Sequence, residues 1–193
     1  MPQSTLHTRR ITLVPLSDEH LEYEIGLDSD PAVMRYLGSG RPRTRDEVEQ
    51  FHRRRLATAE RVPGLGFWVG FVGGQFVGWW ILEPPERADQ GLVAGQAELG
   101  YRLLQRYWRI GLASEGAREL IRHGFNDLGL ARIFAETMAV NDASRATMAS
   151  VGMSYVRTMQ VDWADPIPGA EQGEVEYAIT RAEWAAQASG GRP

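Results

Sequence analysis

The chain has 193 residues, 43% of them hydrophobic, with a formal net charge of −4 and no cysteine. That length suits one domain able to bury its own core. The missing cysteines exclude disulfides, thiolate zinc sites and cysteine nucleophiles, and the mild acidity argues against nonspecific nucleic-acid binding.

No run of about 18 apolar residues points to a membrane span. The start, Met1-Pro2-Gln3-Ser4-Thr5, lacks the apolar core of a signal peptide, so a cytoplasmic location is expected. In chain order, Arg10 to Leu16 reads as a first strand. Ser17 reads as the N-cap of a helix carrying Leu21, Ile25 and Leu27. Asp30-Pro31 opens a short helix that buries Met34 and Leu37. Thr44-Arg45-Asp46-Glu47 is a capping box, whose Thr and Glu side chains satisfy free amides reciprocally. It opens a helix with Val48, Phe51 and Leu56.

Phe67 to Val72 and Phe76 to Leu82 form a hairpin around Gly73-Gly74. Glu83 to Gly95 reads as a loop, and Gln96 to Leu104 as the next strand. Apolar residues at helical spacing mark a helix from about Gly111 to Leu128. Ala131 to Met138 reads as a buried strand, and Asp142 to Val151 as a helix capped by Asn141 and Gly152. Tyr155 to Trp163 and Glu174 to Thr180 are closing antiparallel strands joined by the loop Ala164 to Gly173. The tail after Ala188 reads as disordered. The order of elements implies a single α+β, mixed-sheet three-layer domain, with its ordered part about residues 8–186.

The junction Glu98-Leu99-Gly100-Tyr101-Arg102-Leu103, then Gln105 to Ala113, carries the chemistry. A strand runs through a tight turn into a helix whose first amides lack internal partners and carry partial positive charge. The turn amides of Ile110, Gly111, Leu112 and Ala113, with Arg106 and Arg109, could cradle a pyrophosphate. The plain alternative is a strand–helix turn with exposed arginines. No G-x-x-x-x-G-K-[S/T] is present, and Gly64-Leu65-Gly66 leads into a strand without a third glycine.

These residues resemble the GCN5-related N-acetyltransferases (GNAT superfamily), in particular the branch of ribosomal-protein N-terminal acetyltransferases. Arg106-Tyr107-Trp108-Arg109-Ile110-Gly111 matches the first and last positions of the signature Q/R-x-x-G-x-G/A, with Arg109 where a glycine is usual. Asn141-Asp142-Ala143-Ser144 and Gly152-Met153 resemble later elements of that branch. The resemblance spans Thr8 to about Trp184. It implies an acyl-CoA N-acyltransferase fold, a twisted mixed sheet of about seven strands flanked by helices, with a cofactor cleft where the central strands part.

The resemblance also implies acetyl transfer from acetyl-CoA, without a metal, to an amine: a protein N-terminus, a polyamine or an antibiotic-like amine. A homodimer stays open. An alkyl ammonium has a pKa of about 10, so a base must take its proton. Glu98 is the first candidate and Glu136 the second; otherwise Glu98 is a strand-end glutamate paired with an arginine. Backbone around Leu99, Tyr101 and Leu103 would hold the cosubstrate and the oxyanion. Relatives place a tyrosine where this chain has Met148, leaving Ser144 to hydrogen-bond the sulfur, unless it only satisfies its own helix. Asn141 either binds the pantetheine arm or only caps its helix. A noncatalytic acyl-CoA-binding module is the alternative, and an RNA-binding use of Arg41, Arg43, Arg45 and Arg53 to Arg55 a third.

Overall fold

The computed structural model describes residues 3–85, 87, 90, 94–161 and 165–190. The strands are β1 (Leu6–His7), β2 (Thr12–Pro15), β3 (Gly66–Val72), β4 (Gln75–Glu83), β5 (Gln96–Leu103), β6 (Arg132–Met138), β7 (Ser154–Met159) and β8 (Glu174–Thr180). The helices are α1 (Leu21–Asp28), α2 (Pro31–Met34), α3 (Arg45–Arg61), α4 (Leu112–Asn126), α5 (Asp142–Ser150) and α6 (Arg181–Gly190). One eight-stranded sheet runs in the order β1-β2-β3-β4-β5-β6-β8-β7. The two-residue β1 is an addition to the seven strands expected.

The start signals act as the sequence implies. Asp30 accepts from the Ala32 amide at 2.8 Å at the head of α2. The Thr44 amide donates to Glu47 at 2.8 Å, and the Glu47 amide donates to Thr44 Oγ1 at 3.3 Å. A single 3-10 turn, Asp18–His20, precedes α1, and the Ser17 amide donates to the His20 ring there. Two expectations change at the C-terminal end. β7 stops at Met159, and residues 162–164 lie outside the described residues. The segment after Thr180 is helical through Gly190, because Trp184 packs on Phe125 with ring centroids 5.6 Å apart. The helix takes in Ser189 and Gly190 of the tail read as disordered; residues 191–193 lie outside the described residues.

All sheet pairs are antiparallel except β5 and β6, which α4 connects as a crossover. Their ladder holds only Gln96↔Arg132, Ala97↔Ile133 and Glu98↔Phe134. β5 continues beside β4 to Gly78↔Leu103, so beyond Glu98 it parts from β6 and leaves a wedge-shaped opening in the middle of the sheet.

α4 is locked to the sheet at its first turns. The fully buried Trp80 donates its indole N–H to the Ala113 carbonyl at 3.1 Å. A Cβ on Gly116 would lie 2.4 Å from the Trp80 ring, so only glycine lets the helix sit this close. The main core, including Trp68, Trp80, Leu120, Phe125 and Ile133, fills the space between the sheet and α4. The opposite face carries α1 and α3 over a smaller cluster of Leu27, Phe67, Val69 and Trp79.

Candidate active site

Three structural parts meet at the opening between β5 and β6. The first is the turn into α4. Arg109 has φ +60°, the one non-glycine residue with positive φ among the described residues, and Gly111 follows with φ +82°. Gly111 caps α4 without a side chain, so the amides that open the helix have no side-chain acceptor. Arg109, Ile110 and Gly111 are exposed, whereas Leu112 is buried and anchors the turn. The structure adds a cation that sequence reasoning missed. Arg10 donates to the Ile110 carbonyl at 2.8 Å and pairs with Glu115 at 2.6 Å. Its guanidinium lies 3.4 Å from where a Gly111 Cβ would be. No local signal could have shown this, because about a hundred residues separate the partners. Arg106 goes elsewhere: it stacks over Tyr107 at 5.0 Å and lines a groove with Glu22 and Tyr23.

The second part is the head of α5. Asn141 accepts from the Ser144 amide at 3.3 Å and donates to Thr137 Oγ1 at 3.0 Å, so both ends of its amide are used in the fold. Ser144 Oγ lies 3.2 Å from the Tyr101 hydroxyl, which also donates to the Ser144 carbonyl at 3.1 Å. Burial raises the Tyr101 phenol above its usual range, with Ser144 opposing, so it stays protonated at neutral pH. Met148 is buried in the core and offers no titrating group. Leu99 and Leu103 likewise point into the core, which leaves their backbone as the part that faces the opening. The Leu103 carbonyl is already occupied, accepting from the Trp108 indole at 2.8 Å.

The third part is acidic. Glu98 sits on the last rung shared with β6, opposite Glu83 on β4. Gln90 Nε2 donates to Glu98 at 2.9 Å and to Glu136 at 3.2 Å, and Arg87 donates to Glu136 at 2.6 Å. Burial, then the nearby Glu136 and Glu83 charges, push the Glu98 carboxyl up to about 8. Sequence reasoning named Glu98 and Glu136 but not Gln90, Arg87 or Glu83, which come from the loop side of the opening.

On the same face lies a buried ion cluster. Asp28, fully buried, pairs with Arg102 and with Arg43 at 2.9 Å, with Arg55 at 3.7 Å. Arg55 also pairs with the buried Glu24. Burial alone would raise the Asp28 carboxyl, but Arg102, Arg55 and Arg43 outweigh it and hold it below its usual range. The arginine-rich segment read as one patch is therefore split: Arg41 and Arg45 form exposed pairs with Glu47 and Glu22, whereas Arg43 and Arg55 turn inward.

A model of the acetyltransferase (GNAT) domain matches residues 10–154, well over half of the chain. The chain belongs to the GNAT acetyltransferases. It is 47% identical over 184 residues to the FsC-acetyl coenzyme A-N(2)-transacetylase of Aspergillus fumigatus, covering 94% of this chain and 78% of that protein. Its fold is similar to that of a GNAT-family acetyltransferase from Bacillus anthracis, with a TM-score of 0.77 at 20% identity, covering 93% and 99% of the two chains. It is similar also to RimL, a ribosomal L7/L12 alpha-N-protein acetyltransferase in complex with coenzyme A, with a TM-score of 0.73 at 17% identity, covering 90% and 95%.

Within this GNAT acetyltransferase, Arg109 holds the left-handed backbone that a glycine adopts freely. The departure from the signature thus places a charged side chain at a left-handed position of the turn. Among the described residues, no group of His, Cys, Asp or Glu could hold a metal ion, and no helix is long and apolar enough to cross a membrane.

Proposed function

We propose that this enzyme transfers acetyl from acetyl-CoA directly to a primary amine, with Glu98 as the base. The observation that carries the reading is the carboxylate pair Glu98 and Glu136, bridged by Gln90, at the point where β5 leaves β6. An ordinary glutamate is a poor match for an ammonium of pKa about 10. A carboxylate near 8 narrows that gap by several units, and an arriving ammonium would favour its ionised form.

The residues fit the cosubstrate. Acetyl-CoA supplies the thioester. The uncapped head of α4, with the amides of Ile110, Gly111, Leu112 and Ala113, suits its pyrophosphate, with Arg10 and Arg109 adding charge. Arg106 contributes to that turn through its backbone. The Tyr101 backbone and the Leu103 amide, past the last rung with β6, suit the pantetheine arm and the oxyanion, with the Leu99 carbonyl beside them. Glu98 takes one proton from the ammonium, the neutral nitrogen bonds to the acetyl carbon, and as the carbon–sulfur bond breaks the second nitrogen proton passes to the leaving thiolate. The Ser144 and Tyr101 hydroxyls receive the sulfur. Asn141 orients Ser144 by capping α5.

The reading treats the chain as one acetyltransferase domain working in the cytoplasm, with no nucleic-acid partner. The fungal relative's N(2)-transacetylase name accords with a nitrogen acceptor. The test is thiol release from acetyl-CoA with a panel of peptides, polyamines, amino acids and antibiotic-like amines. Tight acetyl-CoA binding without turnover on any of them would instead leave a noncatalytic acyl-CoA binder.

A further inference from the structure

A pocket of about 620 Å³ opens on the sheet face that carries α1 and α3. Five arginines, Arg43, Arg54, Arg55, Arg61 and Arg102, line it together with Trp79. Glu83 stands at its other end. Strand alternation and register put Glu83, Ile81 and Trp79 of β4 beside Glu98, Gly100 and Arg102 of β5, all on one face. Along this face the charge runs from carboxylates at Glu83 and Glu98 to guanidiniums at Arg102. Four steps along the strand separate Glu98 from Arg102, on the order of 13 Å.

The positive end is not neutralised from within. Asp28 and Glu24 are the carboxylates paired to this cluster, and they serve Arg43, Arg55 and Arg102. Arg54 and Arg61 line the pocket with no carboxylate partner among the described residues. Arg54 instead leans on the Phe51 ring at 5.3 Å. Two deeper donors are also unsatisfied. Arg102 and Trp79 are 8% and 6% exposed, and the Arg102 Nε and Trp79 Nε1 hydrogens have no acceptor. Buried donors of this kind ordinarily find one.

We propose that this pocket holds the body of the acceptor through a carboxylate, so that the enzyme acetylates amines that also carry an acid group and discriminates against polycations. This rests on the acetyltransferase reading above and gives its acceptor site a polarity. The amine would lie at the Glu98 end and the acid group at the Arg54, Arg61 and Arg102 end. A polyamine would set a second ammonium against the unpaired Arg54 and Arg61.

The test uses matched acceptors: 6-aminohexanoate, its neutral amide and spermidine. With acetyl-CoA, kcat/KM for the acid should exceed that for the amide by at least about tenfold, chiefly through KM, and spermidine should be the poorest. In Arg54→Ala and Arg61→Ala, both at exposed positions, the acid-to-amide ratio should fall toward one. Equal use of acid and amide, or a preference for spermidine, would overturn the proposal. Calorimetric binding of 6-aminohexanoate and its amide to the CoA-loaded protein reads the same preference without turnover. Absence of turnover with a retained binding preference would sink the transferase reading alone; equal binding of the two would sink this one.

Discussion

The Tyr101 hydroxyl lies 3.2 Å from Ser144 Oγ, joining the parted strand β5 to the head of α5. In the proposed reaction this pair receives the leaving sulfur. A thiolate with a reference pKa of about 8.5 leaves without strong acid help. Ser144→Ala and Tyr101→Phe are therefore each expected to lower kcat by no more than about tenfold to a hundredfold, below or at the foot of the usual acid–base range. The double variant should be little worse than the poorer single one, because the hydroxyls act as a unit. Steady-state rates with saturating acetyl-CoA check this; additive losses would separate their roles.

Glu98→Gln should lower turnover far more than acetyl-CoA affinity. For the wild type, kcat/KM should climb with pH as Glu98 ionises through about 8. The variant should lack that climb, and its deficit should shrink toward pH 10 as the amine loses its proton unaided. Near-normal turnover of the variant at pH 7 would remove Glu98 as base.

The same carboxyl makes a stability prediction of definite sign. Its folded pKa of about 8 lies above the ordinary 4.5, so the folded state holds an extra proton between those values. Wild-type stability should therefore fall as pH rises from about 4.5 to about 8 through this group, and Glu98→Gln should escape that loss. The variant should gain on the wild type in thermal melts at pH 8 and lose the advantage near pH 4.

At the turn, Arg109→Gly and Gly111→Asp should act in opposite directions. Relief of a left-handed arginine should stabilise the fold by about 1 kcal/mol in denaturant titration. Arg109→Ala keeps the backbone strain and deletes only the guanidinium, so comparing CoA affinity across both isolates the side chain's share. Gly111→Asp adds negative charge and a strained Cβ where the phosphates are proposed to sit, and CoA affinity should drop at least about tenfold. Unchanged affinity would move the phosphates elsewhere.

Gly116→Ala should cost about 1–3 kcal/mol, because the methyl meets the fully buried Trp80 ring. Acetyl-CoA affinity should suffer with it, since the same ring tethers Ala113 at the head of α4. Circular-dichroism melts with and without CoA measure both.

Local signals in the sequence were enough to place the hairpin, the Thr44 and Asn141 caps and the turn into α4. Each depends on neighbouring residues whose chemistry is short-ranged. Leu6–His7 escaped because two residues carry no period, and α6 because its attachments, Trp184 on Phe125, Arg181 on the Leu130 and Phe125 carbonyls and Gln187 on the Gly152 carbonyl, are all to residues distant in sequence. At the proposed site, Glu98, Glu136 and Ser144 were named through the family resemblance together with their strand and helix positions. Arg10 and Gln90 were not, since nothing beside Arg10 announces Ile110 and Glu115 as its partners, nor beside Gln90 that it bridges Glu98 and Glu136. The arginine-rich segment misled in a different way. Its charges read together as one stretch for RNA, yet Asp28 and Glu24, on the buried side of α1, draw Arg43 and Arg55 inward.

The three-rung join between β5 and β6 has a mechanical meaning. It divides the sheet into a five-stranded leaf and a three-stranded leaf, hinged at Gln96 to Glu98 and otherwise held together through packed side chains and side-chain hydrogen bonds such as Tyr101 to Ser144. A cosubstrate lying in the gap would act as a missing strand, stapling the leaves along the edge where they diverge. Amides on both rims should then slow their hydrogen exchange together when CoA binds, and the protein should melt as one unit over a narrower temperature range.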